Sequence, residues 1–187
     1  MESKNSKANP IRVAVIMGKM NSGGKKTLAM EYFRHMDHDK IKFDFICDAD
    51  SNAIPTDEIK KLGGEVHIVA PYQHIIQNMG DMVNLFRKNH YDIVHAYNST
   101  MNLFPMAAAS FAGVPVRINE SVSMGNKREK KYILKCLLRP FSHLFSTHYM
   151  SCGETCGIWQ FGNDLYNKGK ISVFKSVVNT EKYKFDP

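Results

Sequence analysis

The stretch "IRVAVIMGKMNSGGKKTLAM", residues 11–30, decides the fold. Ile11 to Met17 is a short, nearly continuous apolar run, the pattern of a strand buried on both faces. A glycine-bearing loop follows. Leu28, Tyr32 and Met36 then recur four apart, which lays an apolar stripe along a helix. A buried strand, a glycine turn and an amphipathic helix together form the opening of a βαβ unit.

The loop "GKMNSGGKKT" (Gly18–Thr27) invites a phosphate-binding reading. A nucleotide-hydrolase loop needs a glycine, four residues, then Gly-Lys and a hydroxyl residue. Counted from Gly18, Gly24 stands where the lysine belongs; counted back from Gly24-Lys25, Lys19 replaces the glycine and Lys26 the hydroxyl. The dinucleotide spacing G-x-G-x-x-G fails at Met20, and Asp48 and Asp50 lack the glycines that should precede a ribose ligand. That argues against a nicotinamide oxidoreductase. What survives is the pair Gly23-Gly24 at a predicted helix start. Free N–H groups and the helix dipole there favour an anion, and glycine lets a ligand approach the backbone. A tight strand-to-helix turn explains the same glycines. Lys25 and Lys26 read as surface charges of the helix start.

Outward from this unit the alternation continues. "KFDFICD" (42–48), "EVHIVA" (65–70), "YDIVHA" (91–96), "VPVRIN" (114–119), "THYMSCG" (147–153) and "KISVFKSVVN" (170–179) read as strands. Between them, "TDEIKKLGG" opens on a capping Thr56 and stops at Gly63 and Gly64. Residues 73–89 carry Met79, Met82, Val83 and Phe86 at helical spacing. "TMNLFPMAAASFAG" (100–113) is an apolar helix despite Pro105, "NKREKKYILKCLLRPF" (126–141) a basic amphipathic one, and "TCGIWQFG" (155–162) a short one. Seven strands alternating with helices over short connections predict a parallel sheet covered on both faces. The expectation is an α/β, Rossmann-like, doubly wound domain over residues 11–178, after a disordered tail at 1–10 and before a polar segment at 179–187.

Composition sets the outer limits. The 187 residues are 43% hydrophobic, enough for one core. A formal net charge of +7 favours an anionic partner. No aromatic-basic interleaving or recognition-helix motif points to nucleic acid. The start "MESKNSKANP" has no apolar signal region, and no apolar run approaches the ~20 residues that span a bilayer. Cys47, Cys136, Cys152 and Cys156 are scattered through apolar surroundings and read as reduced thiols of a cytoplasmic protein. His148, Cys152 and Cys156 are spaced four apart, but the strand before Ser151 takes His148 off any shared helical face, so no metal is expected.

Ligands of open parallel sheets bind beyond the carboxyl ends of the strands. There "HAYNST" offers His95, Tyr97, Asn98 and Ser99 to a hydroxyl-rich ligand, or Ser99 or Thr100 as a helix cap. "NESVSMGNK" offers Glu120 as a general base or hydroxyl-orienting group, or as an ion-pair partner of Lys127 or Arg128. The basic helix, with Lys127, Arg128, Lys130, Lys131, Lys135 and Arg139 around Tyr132, Ile133, Leu137 and Leu138, fits either an anionic membrane surface or a solvated basic face.

Taken together, the order and spacing of "IRVAVIMGKMNSGGKKTLAMEYFRHMDHDKIKFDFICD", "IKKLGGEVHIV", "NHYDIVHAYNST", "AAASFAGVPVRI", "LLRPFSHLFSTHYMSCGE" and "GKISVFKSVVNTEKYKFDP" resemble the N-terminal half of bacterial GT-B glycosyltransferases of the large retaining family 4, above all those of capsule and exopolysaccharide synthesis. The resemblance implies an acceptor-binding domain that faces a nucleotide-sugar-binding domain across a cleft. It implies transfer without a metal or other cofactor, to a surface polysaccharide or lipid-linked glycan at the inner face of the plasma membrane. The donor-diphosphate role falls on Gly23 and Gly24, with Lys19 and Asn21 nearby. From their strand-end positions, Glu120 is the candidate catalytic residue, and Tyr97, Asn98, Ser99, Ser121, Lys127 and Arg128 are the candidates for acceptor binding. Relatives commonly carry histidines where Glu120, Val122 and Tyr97 stand here, which puts a catalytic histidine in doubt. By the same resemblance 179–187 begins an interdomain linker, the donor domain is absent, and the chain alone is inactive. The competing reading is a non-enzymatic nucleotide- or phosphosugar-binding module, or a subunit of a two-chain transferase.

Overall fold

The computed structural model describes residues 9–129 and 131–174. The strands are β1 (Ile11–Gly18), β2 (Ile41–Asp48), β3 (Glu65–Val69), β4 (Ile93–Ala96), β5 (Val116–Ser121), β6 (His148–Ser151) and β7 (Ile171–Val173). The helices are α1 (Gly24–His35), α2 (Thr56–Lys61), α3 (Ile75–Asn89), α4 (Leu103–Phe111), α5 (Tyr132–Leu138), α6 (Glu154–Phe161) and α7 (Asn163–Asn167). The seven strands form one sheet in the order β3-β2-β1-β4-β5-β6-β7, every pairing parallel. The expected Rossmann-like domain is present. The stretches 1–8 and 175–187, with the end of the 170–179 strand, the domain limit at 178 and the linker at 179–187, lie outside the described residues.

The apolar run that opens the chain is the sheet's centre. Val13, Val15 and Met17 face a core built with Leu28, Met30 and Phe33 of α1 and Phe43 and Phe45 of β2. Ala14 and Ile16 face the other way, onto Met82 and Phe86 of α3 and Met106 and Ala109 of α4. Both faces of β1 are thus dry, which explains why its sequence does not alternate. Each large side chain buried here contributes roughly 1.5–3 kcal/mol.

Local details depart from the sequence reading. Thr56 is the first residue of α2 rather than its cap; Pro55 holds the cap position, with no side-chain hydrogen bond. A 3-10 turn at Ser99–Asn102 precedes α4, so Pro105 falls in the helix's first turn, where its missing N–H costs nothing. Neither Ser99 nor Thr100 caps that helix: Ser99 has φ +55°, and the buried Thr100 hydroxyl has no hydrogen-bond partner. The basic helix expected over 126–141 shrinks to the seven residues of α5.

Candidate functional site

Strands β1, β2 and β3 run out to one side of the sheet, and β4 returns on the other side of β1. Loops leaving β1 and β4 therefore part in opposite directions, and a crevice opens between them. It forms a cleft of about 1080 Å³. Its walls include Gly18, Lys19, Gly23, Gly24 and Lys25 from the first loop, Asp48 and Tyr72 on one flank, and Tyr97, Asn98 and Ser99 after β4. Val122, Ser123, Glu129, Lys131, Lys135 and Cys152 also line it, with apolar side chains such as Ile75, Phe104 and Pro105.

The glycines divide into two kinds. Gly18 has φ +55°, and a Cβ there would lie 2.9 Å from both the Nδ2 and Oδ1 of Asn98. Its absence of a side chain is structural. Gly23 and Gly24 have no heavy atom within 4 Å of a Cβ. The first turn of α1 holds no acidic residue and no side-chain cap, so its leading N–H groups have no side-chain acceptor, and Gly23 and Gly24 line the cleft.

Lys25 corrects the sequence reading. Its ammonium turns inward, donating to the Met17 carbonyl and, at 2.8 Å, to Asn98 Oδ1. Burial lowers its pKa from 10.5 to about 8, against the opposing pull of Asp48 and with help from Lys131. Lys26 likewise reaches the Ala53 carbonyl at 3.2 Å instead of solvent alone. Lys19 lines the cleft, but its ammonium pairs with Asp50 at 2.8 Å. That contact raises the lysine's pKa and lowers the aspartate's. Asn21 Oδ1 accepts the Asn52 N–H at 3.3 Å and stands off the cleft wall.

Glu120 is 1% exposed and lies behind the wall rather than in it. Its Oε2 is 2.8 Å from His95 Nε2, while His95 Nδ1 is 3.2 Å from the Tyr97 hydroxyl. The alternative ion pair with Lys127 or Arg128 is therefore also corrected: both cations are exposed, outside the cleft, and the carboxylate's partner is a histidine two residues before Tyr97. Tyr97 folds back over His95, ring centroids 4.3 Å apart, and burial pushes its phenol well above the ordinary range. The Tyr97 hydroxyl is thus spent inside the core. Ser121 is buried too, its hydroxyl donating to the Cys156 carbonyl at 3.0 Å. Ser99 reaches Ser123 O and Gln160 Oε1, both at 3.2 Å. Of the six residues expected to hold an acceptor, Tyr97, Asn98 and Ser99 meet at the cleft, while Ser121, Lys127 and Arg128 do not.

Besides Lys19 and Lys25, the cleft's cations are Lys131 and Lys135, from the segment that reads as a basic face. Lys131 sits over the Tyr72 ring, 3.8 Å from its centroid, and Lys135 pairs with Glu129 at 2.5 Å. Asn102 and Gln160, which carry no motif, hold the wall from behind through Asn119. Nothing short of their contacts would have singled them out. All four cysteines are free thiols. Among the described residues, Asp44, Glu65 and His67 form the group able to hold a metal. It lies away from the cleft, and Asp44 Oδ2 already receives Arg12 at 3.1 Å and the Tyr91 hydroxyl at 2.9 Å. Among the described residues no helix is long and apolar enough to cross a membrane.

No family model matches the chain. It is 27% identical over 178 residues to the Bacillus subtilis (strain 168) protein named "Putative glycosyltransferase EpsF", covering 92% of this chain and 46% of that protein. The crystal structure of Anabaena HepE in complex with UDP-glucose superposes with a TM-score of 0.63 at 13% identity, over 95% of this chain and 47% of HepE. MurG of Acinetobacter baumannii superposes with a TM-score of 0.59 at 10% identity, over 94% of this chain and 48% of MurG. The chain has the fold of one half of a GT-B glycosyltransferase. This GT-B half spans about half the length of the proteins it matches. A further superposition, on the Staphylococcus aureus MnaA–UDP structure, has a TM-score of 0.63 at 8% identity.

Proposed function

We propose that this chain is the acceptor-side half of a glycosyltransferase that moves a sugar from a nucleotide-sugar to a surface polysaccharide or lipid-linked glycan. A donor-binding domain would follow residues 179–187 and close over the cleft. The observation that carries this reading is the uncapped start of α1 at the cleft mouth, where Gly23 and Gly24 leave the backbone open. A diphosphate held by the opposite domain would meet those N–H groups, the dipole of α1 and the nearby Lys25. Charge developing on the leaving diphosphate would be stabilised there without a metal. The EpsF likeness and the UDP and UDP-glucose complexes of the superposable proteins support a nucleotide-sugar as the ligand class. Asn98, on the β4 side, is the group placed to orient an acceptor hydroxyl, with the buried Ser99 bracing the wall behind it.

The test is a screen of nucleotide-sugars with the full-length protein and membrane extract as acceptor, following nucleotide release and sugar incorporation. Release with incorporation supports the reading. Binding without either favours a second reading, a non-catalytic nucleotide- or phosphosugar-binding module or one subunit of a two-chain transferase. The burial of Glu120, which removes the expected base from the cleft, favours that alternative.

A further inference from the structure

Away from the cleft, near the start of β3, a second cluster of polar side chains forms. Glu65 and His67 stand two apart on β3, so both point to one face of the sheet. The parallel register sets Asp44 of β2 beside Glu65, and Asp44 shares that face. One ligand atom from each of Asp44, Glu65 and His67 lies within 4.8 Å of the other two. His67 Nε2 is 3.5 Å from Glu65 Oε2 and 3.9 Å from Asp44 Oδ2. Among the described residues, this buried nitrogen has no hydrogen-bond partner. A buried polar atom in that state is rare in folded proteins, and an ion is one of the few things that accounts for it.

The spacing suits zinc. Zinc holds imidazole nitrogen and carboxylate oxygen at about 2.0–2.2 Å, which in a tetrahedral site sets neighbouring ligand atoms about 3.3–3.5 Å apart. The 3.5 Å edge already has that length. The 3.9 Å edge has to close by about 0.5 Å, within reach of side-chain rotation. One imidazole and two carboxylates favour zinc over magnesium or calcium, which take oxygen ligands. Asp44 is also braced as a ligand should be: its Oδ2 accepts from the Tyr91 hydroxyl at 2.9 Å and from Arg12 at 3.1 Å. Arg12 and Tyr91 come from the β1–β4 side, while Glu65 and His67 approach from β3 at the sheet edge. Arg12 is anchored a second time, on the Asn89 carbonyl at 2.6 Å. Its charge offsets one of the two carboxylates, so affinity should fall short of that of a closed four-ligand site. The Glu65 side chain is 69% exposed and gives the ion a way in.

We propose that Asp44, Glu65 and His67 form a zinc-class metal site that ties the edge strand β3 to β2. The ion is structural, lies outside the cleft, and stands or falls independently of sugar transfer. Its ligands share no motif, because the strand register and not the spacing brings Asp44 to the β3 pair.

The experiment is calorimetric titration of zinc chloride into the tag-free, chelator-treated protein, with thermal unfolding alongside. One ion per chain is expected, half-saturating at or below about 10 μM. With zinc a hundredfold above the measured constant, the unfolding midpoint should rise by about 5–10 °C. Magnesium and calcium at the same concentration should leave it unchanged. Glu65→Gln and His67→Ala should each weaken zinc binding by roughly tenfold or more, since a ligand counts for at least as much as the groups that orient it. Glu65 is exposed, so Glu65→Gln keeps the fold even where His67→Ala does not. Binding that the Glu65→Gln protein retains in full overturns the proposal and moves the ion to thiols or histidines elsewhere. Half-saturation only in the millimolar range means an adventitious ion only, and overturns it too. So does a midpoint that zinc leaves unchanged or lowers.

Discussion

Lys25 donates to the Asn98 carboxamide oxygen across 2.8 Å and so ties the head of α1 to the end of β4. The same ammonium reaches the Met17 carbonyl at the end of β1. One cation thus clips together both sides of the crevice, and burial holds its pKa near 8. The unfolded chain keeps this lysine near 10.4. Between those values the unfolded state binds more protons, so stability rises with pH across the window. The charged form carries a cost of roughly 3 kcal/mol at neutral pH, relieved as pH climbs from about 8 towards 10.5. Urea unfolding at pH 7.5 and at pH 10 should therefore show a gain that Lys25→Met lacks.

The linkage has a counterpart in binding. A diphosphate at the start of α1 would favour charged Lys25 and draw a proton onto it. Affinity for a nucleoside diphosphate should then fall as pH rises through about 8. Calorimetry in buffers of different ionisation heat should register proton uptake on binding in the wild type and none in Lys25→Met.

The three glycines of the loop should separate fold from binding. Gly18→Ala places a Cβ against Asn98 at a positive φ, and should cost about 1–3 kcal/mol. Gly24→Ala meets no neighbour, has no left-handed backbone to strain, and should leave stability within about 0.5 kcal/mol. Gly23→Val has open space but forces a β-branched residue into a glycine-only region, φ +149° and ψ 175°, and should cost at least as much as Gly18→Ala. Under the proposed function, Gly23→Val and Gly24→Ala both weaken nucleotide binding by putting carbon where the diphosphate would approach. Thermal unfolding and nucleotide titration of the three variants should therefore rank them in different orders.

The strands and the loop were legible because their signals are local. The apolar run Ile11–Met17 can satisfy itself only inside a sheet, and Gly23-Gly24 sits at a helix start whatever surrounds it. The direction of charged side chains was not legible. Lys25 turns in because its acceptors, Met17 O and Asn98 Oδ1, lie at the ends of two strands far apart in sequence. Lys131 and Lys135 turn in because Tyr72 and Glu129 wait beneath them, so a face that reads as basic presents Ile133 and Leu137 instead. Glu120 was placed correctly at a strand end. Its burial followed from His95, which the β4–β5 register sets beside Ile118, two residues before Glu120 on the same face of the sheet.

Glu120 should behave as a structural residue. Its side chain is 1% exposed and meets His95 Nε2 at 2.8 Å. Glu120→Ala leaves that buried ring without its partner and should cost about 1–3 kcal/mol. Glu120→Gln keeps a hydrogen-bonding group in place and should cost about 1 kcal/mol or less. In chemical denaturation both should show that loss, Ala more than Gln. Nucleotide affinity of the folded Glu120→Gln protein should remain within about twofold, because the side chain does not reach the cleft.

Asn119 should be the least replaceable polar residue behind the site. Its Nδ2 donates to Ser142 O at 2.6 Å and Ser146 Oγ at 3.1 Å. Its Oδ1 accepts from Asn102 Nδ2 at 2.8 Å and Gln160 Nε2 at 2.9 Å. All four amide valences are filled, and they join β5, α6 and the turn before α4. Asn119→Asp is nearly isosteric but turns two donors into acceptors facing an acceptor, and buries a charge. It should destabilise by about 2–4 kcal/mol, more than its size suggests. Gln160→Leu alone also breaks the chain, through Asn119 and through Ser99. A double-mutant cycle of Asn119→Leu with Gln160→Leu should then give a coupling of about 0.5–3 kcal/mol, because one partner's loss already strands the other. Additive losses in that cycle would mean the two amides act separately, and the wall that carries Ser99 into the cleft would owe its rigidity to packing alone.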